Sequence, residues 1–378
     1  MHPGPLMRDP ADVTAPQGRA NLFDFLRCAL AVLVIYSHSH ALLAGNDETE
    51  PLYRWTRGQL TGGGLAVDSF FIISGYLITQ SWVRSRGLGD FLLKRVLRVY
   101  PAFIVAVALG VLVVAPLSSG LSLSIDAGDW LLGTLDLRGY TPANTFPDNP
   151  LPNAVNGSLW SVAYEFWCYL GIALLGTCAL LRHRRLISAF LLLAIAVSIV
   201  FVAWDLNPGG KVLGVIFGAP SCWARLLPYY LAGTTFYLWR DRTPMSWTLA
   251  GISVAVLFAG PLLAPWGVAL TCPLALTYLL LFLALRPIPG LVGWAKRGDF
   301  SYGLYLYAFP VQQLLVMWRP AMQPLELFSL ALPLTLLCAF VSWHLIEKPF
   351  LELKTNPTLK RWTALTPAGA KLATLEQR

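Results

Sequence analysis

Ten apolar stretches, each near the ~20 residues that a bilayer core requires, leave this 378-residue chain few folds to choose from. They fall at about 22–43, 62–83, 97–116, 158–181, 186–204, 222–240, 245–263, 266–285, 301–320 and 326–346. In lipid, backbone polar groups must be satisfied within the segment itself, so runs of this length predict helices. The expected fold is all-α: a polytopic integral membrane protein with about ten transmembrane helices. With 56% hydrophobic and only 13% charged residues, the chain departs from soluble domains, which carry about 25% charge. The mean hydropathy of +0.58 points the same way. Fourteen Trp and fourteen Tyr suit interfacial aromatic belts.

The loops orient the helices. Arg84, Arg86, Lys94, Arg95 and Arg98 follow the second stretch, and Arg182, Arg184 and Arg185 the fourth. Arg240 and Arg242 follow the sixth, Arg286, Lys296 and Arg297 the eighth, and Lys348, Lys354, Lys360, Arg361 and Lys371 the tenth. The alternate loops are acidic or nearly uncharged, with Asp47, Glu48 and Glu50, then Asp126, Asp129, Asp136 and Asp148. By the positive-inside bias both termini are expected in the cytoplasm. Clustered this way, the net charge of +8 reflects topology and excludes nucleic acid as the partner. The expected organisation is a polar cytoplasmic segment over 1–20, a membrane domain over 21–350 and a cytoplasmic tail over 351–378. Residues 1–20 lack an apolar core, so the first helix is expected to act as its own insertion signal. The six cysteines show no CxxC or Cys/His spacing, and no metal site is expected.

Within this apolar frame, residues 21–43 are unusual: NLFDFLRCALAVLVIYSHSHALL carries Asp24, Arg27, His38 and His40. Ionisable groups inside a spanning helix are costly and mark functional sites. Arg27 and His38 are eleven positions apart, which places them on one helix face ~16 Å apart along the axis. Counting from the expected outer ends, His38, Asp68 and Glu165 share a layer ~7–11 Å below the outer surface. One imidazole and two carboxylates from three helices form a set suited to acid–base work; the competing reading is interhelical hydrogen bonding in place of packing. Toward the cytoplasm Arg27 meets Arg95 and Arg98, which share a face at i, i+3. Such a cluster suits anionic phosphates, and topogenic charge is its alternative. His40 points about 200° away from His38 and reads as interfacial or structural. Arg225 is expected to pair with Glu165 or to meet an anionic acceptor. His344 and Glu347 are expected to close a helix end, and Tyr302 and Tyr305 either bond a ligand or pack inward. The long outer loop, about 117–157, is placed to cover the outer mouth.

These residues resemble the membrane acyltransferase-3 family over nearly the whole chain. Arg27 with ten residues before His38 is similar to its Arg-x10-His motif, and Phe70-Phe71-Ile72-Ile73-Ser74-Gly75-Tyr76 to its second-span signature. Lys94-Arg95-Val96-Leu97-Arg98-Val99-Tyr100-Pro101 matches the Arg-x-x-Arg motif with its Tyr-Pro. Ser158-Leu159-Trp160-Ser161 through Glu165, Ser301-Tyr302-Gly303-Leu304-Tyr305-Leu306 and Ile346-Glu347-Lys348-Pro349-Phe350 resemble the later signatures. Phe25 and Cys28 replace glycines that often flank the Arg, and Ala308 stands where some members carry a His. The hydrolase-like domain appended in some members is not expected here, so the membrane domain itself or a separate protein is expected to complete transfer.

The resemblance implies a multi-pass cytoplasmic-membrane O-acyltransferase. It would move an acyl group, acetyl before succinyl, from cytoplasmic acyl-CoA to a hydroxyl of an extracytoplasmic sugar, polysaccharide or lipid-linked glycan. Arg27, Arg95 and Arg98 would hold the nucleotide end of the donor. His38 would act as general base or as acyl-accepting nucleophile, with Asp68 or Glu165 fixing its tautomer. The rival function is a ten-span transporter with a buried charge pathway.

Overall fold

The computed structural model describes residues 21–119, 125–208, 217–294 and 298–359. The expected N-terminal segment, the tail beyond 359, and Lys296 and Arg297 lie outside them. Ten long helices occur among the described residues: α1 Phe23–Ala44, α2 Gly62–Arg84, α3 Leu88–Leu109, α4 Trp160–Thr177 and α5 Arg184–Ala203, then α6 Pro220–Trp239, α7 Trp247–Leu263, α8 Gly267–Ala284, α9 Ser301–Trp318 and α10 Pro324–Ser342. Each coincides with one apolar stretch of the sequence, and no strand occurs among the described residues.

Among the described residues, six helical stretches are long and apolar enough to cross a membrane: Phe23–Ala44, Gly62–Arg84, Leu88–Ser119, Arg184–Ala203, Gly267–Ala284 and Pro324–Thr355. Helix α7 is apolar but shorter. The remaining helices, α4, α6 and α9, are rich in Tyr and Trp, and two also carry Glu165 or Gln312 and Gln313. Their lower hydropathy has a structural cause. Thirteen residues of α9 and eleven of α6 are buried against protein, whereas α5 buries only five. A helix that faces neighbouring helices has less need of a lipid-compatible surface.

At the centre, α2 packs against α1 and α6, while α9 packs against α1 and α10. The α2–α6 contact is made by two glycines. A Cβ on Gly75 would lie 2.1 Å from the Tyr230 carbonyl oxygen, and one on Gly233 would lie 2.1 Å from that of Ile72. Small residues allow this backbone approach, and Thr79 Oγ1 then donates to Thr234 Oγ1 across the crossing at 3.2 Å. Gly75→Val is expected to cost about 3 kcal/mol or more, since the obstructing atoms are backbone. Loss of monodisperse protein in detergent size-exclusion chromatography would show it, and a normal profile would contradict the crossing.

Two departures from the expected boundaries matter for the site. Helix α3 starts at Leu88, nine residues before the expected limit, because Phe91 is fully buried and draws the basic turn into the helix. Arg95 and Arg98 therefore lie on a helix wall. Helix α10 continues through a π turn, Trp343–Glu347, into Lys348–Glu352. The wider turn rotates the residues that follow, and Glu347 ends 2% exposed. It turns into the bundle, so it does more than close a helix end.

Candidate active site

Asp299, two residues ahead of α9, organises the arginine end of the bundle. Its Oδ2 accepts from Arg27 Nη1 at 2.8 Å and from Arg98 Nη2 at 2.6 Å. Its Oδ1 accepts from the Ser301 hydroxyl at 2.5 Å. Burial pushes its carboxyl up, but the guanidiniums of Arg27 and Arg98 outweigh that and hold it well below the usual carboxylate range. Arg98 Nη1 reaches Glu347 Oε2 at 3.2 Å, while Ser342 donates to Glu347 Oε1 at 3.2 Å. Two of the three arginines expected to share one ligand are thus already paired with carboxylates.

Arg95 is different. Its guanidinium lies 5.9 Å from the ring centroids of both Phe91 and Tyr169. Nη2 touches Ser81 Oγ at 3.4 Å, and the buried Nε has no hydrogen-bond partner among the described residues. A largely buried cation with no ion-pair partner among the described residues is suited to an anionic ligand. It lines a cavity of about 140 Å³ together with Arg27, Arg98, Glu165, Tyr302 and Tyr305. Ser161, Glu165 and Tyr169 contribute one face of α4, at i, i+4 and i+8.

Glu165 therefore sits with the arginines and apart from His38, contrary to the layer expected from depth counting. The reason is the segment before α4. Residues 141–159 are largely non-helical and run down along α9. Asn149 Nδ2 donates to the Gln313 carbonyl at 3.0 Å, and Gln313 Nε2 donates to the carbonyls of Leu151 and Ala154, both at 2.9 Å. Asn156 Nδ2 donates to the Leu306 carbonyl at 2.7 Å, and Tyr305 OH to that of Ser158 at 2.5 Å. Helix α4 consequently begins level with residues 305–306. Glu165 lies roughly two helical turns from His38 along the bundle axis.

His38 is half-buried on α1, its ring edge-on to Phe309 at 5.3 Å. Its Nδ1 is buried and has no hydrogen-bond partner among the described residues. Asp68 does not reach it either: the 1%-exposed carboxylate faces Arg225, with Nη2 to Oδ1 at 3.2 Å. Arg225 thus pairs with Asp68, not with Glu165. His40 lies edge-on to Tyr36 with Thr49 Oγ1 3.4 Å from its Nδ1, a peripheral setting. Tyr302 donates to the Val99 carbonyl at 3.0 Å and lies under Arg98. The structure joins Arg27, Arg95, Arg98 and Glu165, and it leaves His38 and Asp68 in separate surroundings.

Asp299 escaped the sequence reading because its loop was counted as basic. A lone acid at 299 after Lys296 and Arg297 was the available signal. The polar residues 149–158 gave no sign that they descend into the bundle. All six cysteines are free.

A helical bundle with several membrane-competent helices and an arginine-lined cavity is the setting in which the comparisons with known proteins are informative. A family model described as an acyltransferase domain matches residues 21–344. The chain is similar to an "O-acetyl transferase" of Shigella phage Sf6, 29% identical over 354 residues, covering 90% of this chain and 98% of that protein. It is also similar to "Nodulation protein 10" of Rhizobium leguminosarum bv. viciae, 27% identical over 385 residues, covering 91% and 96%. No solved structure matches. The chain belongs to the acyltransferase-3 family, and the protein is an acyltransferase.

Proposed function

We propose that this protein is a membrane-embedded O-acetyltransferase that moves an acetyl group from cytoplasmic acetyl-CoA to a hydroxyl of an extracytoplasmic glycan or glycolipid. The observation that carries this reading is the cavity in which partner-poor Arg95 stands beside Glu165 and the clamped pair Arg27 and Arg98. All ten long helices cross the inner membrane in this reading, with both termini in the cytoplasm. The alternation of loop charge supports that orientation. The printed name of the phage relative supports acetyl as the group and a hydroxyl as the acceptor.

The donor's anionic nucleotide end meets Arg95 from the cytoplasm. The α1 rise of ~16 Å from Arg27 to His38 then brings the thioester toward the outer side. There His38 takes the proton of the acceptor hydroxyl as the oxygen attacks the acyl carbon; the C–S bond breaks, and the proton passes from His38 to sulfur to give the free thiol of CoA. Among the described residues no carboxylate orients the ring, and its buried Nδ1 has no partner that an entering acceptor hydroxyl would have to displace. Asp68 acts by holding Arg225, and Glu165 by balancing charge in the donor cavity.

Arg95→Gln tests the donor side. A hydrogen bond to a charged group contributes about 1.5–3 kcal/mol, so the KM for acetyl-CoA is expected to rise roughly 10–100-fold. Melting temperature should change little, because Arg95 pairs with no carboxylate. An unchanged donor KM would remove Arg95 from the site. The function itself is tested by reconstituting purified protein with acetyl-CoA and surface glycan and following acetylation by mass spectrometry. Uptake of glycan into sealed vesicles without any acyl-CoA would favour the transporter instead.

A further inference from the structure

Toward the outer side the cavity that carries Arg95 and Glu165 is lined by Val67, Phe70, Ser161 and Tyr305, and His38 is not on its lining. His38 instead packs on Phe309, one turn beyond Tyr305 on the same face of α9. Four residues advance a helix by ~6 Å, so a wall about one turn thick separates the cavity from His38. Two independent contacts hold that wall shut. The Tyr305 hydroxyl donates to the Ser158 carbonyl at 2.5 Å and accepts from Ser161 Oγ at 2.7 Å. The Phe70 ring meets the Tyr305 ring edge-on, with centroids 6.2 Å apart.

A wall built only for stability would be packed and fully satisfied. This one is not. Ser158 is 1% exposed, yet its hydroxyl has no hydrogen-bond partner among the described residues. The wall therefore keeps an unsatisfied polar group beside the Tyr305 hydroxyl. Moreover, one arm of the latch, Ser158, belongs to the non-helical segment tied to α9, while the other, Ser161, sits in the first turn of α4. Loop partners of this kind move at lower cost than packed helices.

We propose that Tyr305, backed by Phe70, is a gate between the donor cavity and the compartment of His38. This inference rests on His38 as the transfer residue and on acyl-CoA as the donor. Released from Ser158 and Ser161, the Tyr305 ring turns aside and the acyl end of the donor passes one turn further to His38. Closed, the gate keeps outer-side water from the thioester while no acceptor is bound. Without it water replaces the acceptor: its oxygen bonds to the acyl carbon and the C–S bond breaks. One proton goes to sulfur, giving the free thiol of CoA, and a second goes to solvent, leaving a carboxylate.

The test is acceptor-independent thiol release from acetyl-CoA by the purified full-length protein in nanodiscs. Tyr305→Phe keeps the ring and removes the latch, and Phe70→Ala removes its backing. Each is expected to raise thiol release at saturating acetyl-CoA at least fivefold over the unaltered protein, and retained acetyl-CoA binding reports that the variant is folded. Thiol release at the unaltered level in either variant that still binds acetyl-CoA would overturn the gate. A fall in donor affinity in step with thiol release would assign Tyr305 to donor binding and also overturn it. If the unaltered protein acetylates glycan and the variants do not leak, the gate alone fails. If the unaltered protein neither binds nor uses acetyl-CoA, the donor reading fails and takes the gate with it.

Discussion

His38→Ala is expected to lower acetyl transfer by about 10²–10⁴-fold, the range that a positioned acid–base group supplies. Acetyl-CoA binding should stay the same, because His38 lies outside the cavity that holds Arg95. Folding should also be spared. His38 Nδ1 has no hydrogen-bond partner to lose among the described residues, and its main neighbour is the Phe309 ring. The alanine leaves space beside that ring without stranding a charge. Initial rates of glycan acetylation, with donor affinity measured by calorimetry on the same preparation, separate the two effects. Transfer at the rate of the unaltered protein would end the case for His38, and with it the outward path of the acyl group.

Arg98→Gln should act in the opposite way, on stability before chemistry. Arg98 is bonded to Asp299 at 2.6 Å and to Glu347 at 3.2 Å, and the Glu347 side chain is 1% exposed. Removing one partner of a buried ion pair leaves an uncompensated charge, a loss of about 3–5 kcal/mol. Asp299 keeps Arg27, so the penalty falls mainly on Glu347. The double variant Arg98→Gln with Glu347→Gln should recover part of the loss, because neither side chain is then charged. Thermal melting of the four proteins in one detergent gives the coupling directly. Additive losses would show that Glu347 and Arg98 do not depend on one another. Compared with Arg95→Gln, which is expected to alter donor KM and spare melting, Arg98→Gln tells the clamp from the ligand contact within one Arg-x-x-Arg pair.

The helices were legible because lipid leaves the backbone no other way to satisfy itself. Each apolar stretch corresponds to a long helix, even between 222 and 285 where connecting loops are short. Arg27 with Arg95 and Arg98 was legible too, since i, i+3 spacing and a shared end of the bundle bring such groups together. Depth counting failed at Glu165 because it assumed that α4 starts at the membrane surface. Asn149, Asn156 and Gln313 carry non-helical chain down along α9 first, and no local pattern announces that descent. The partner of Asp68 was missed for a related reason. Arg225 and Asp68 are far apart in sequence and meet only where Gly64 lets the guanidinium approach α2.

Periodicity, hydropathy and spacing along one helix are written in the order of residues alone. From that order follow the helical class, the positions of the long helices, the Arg27–His38 stripe and the family resemblance. Tertiary structure decided which charges meet. Asp299 and Glu347 clamp Arg27 and Arg98, Arg95 is left without an ion pair among the described residues, and Tyr305 lines the cavity from whose lining His38 is absent. The physical reason is that a buried charge is settled by whatever partner lies within a few ångströms. Over such distances, a π turn at Trp343–Glu347 or a loop lying one turn deeper replaces one partner with another.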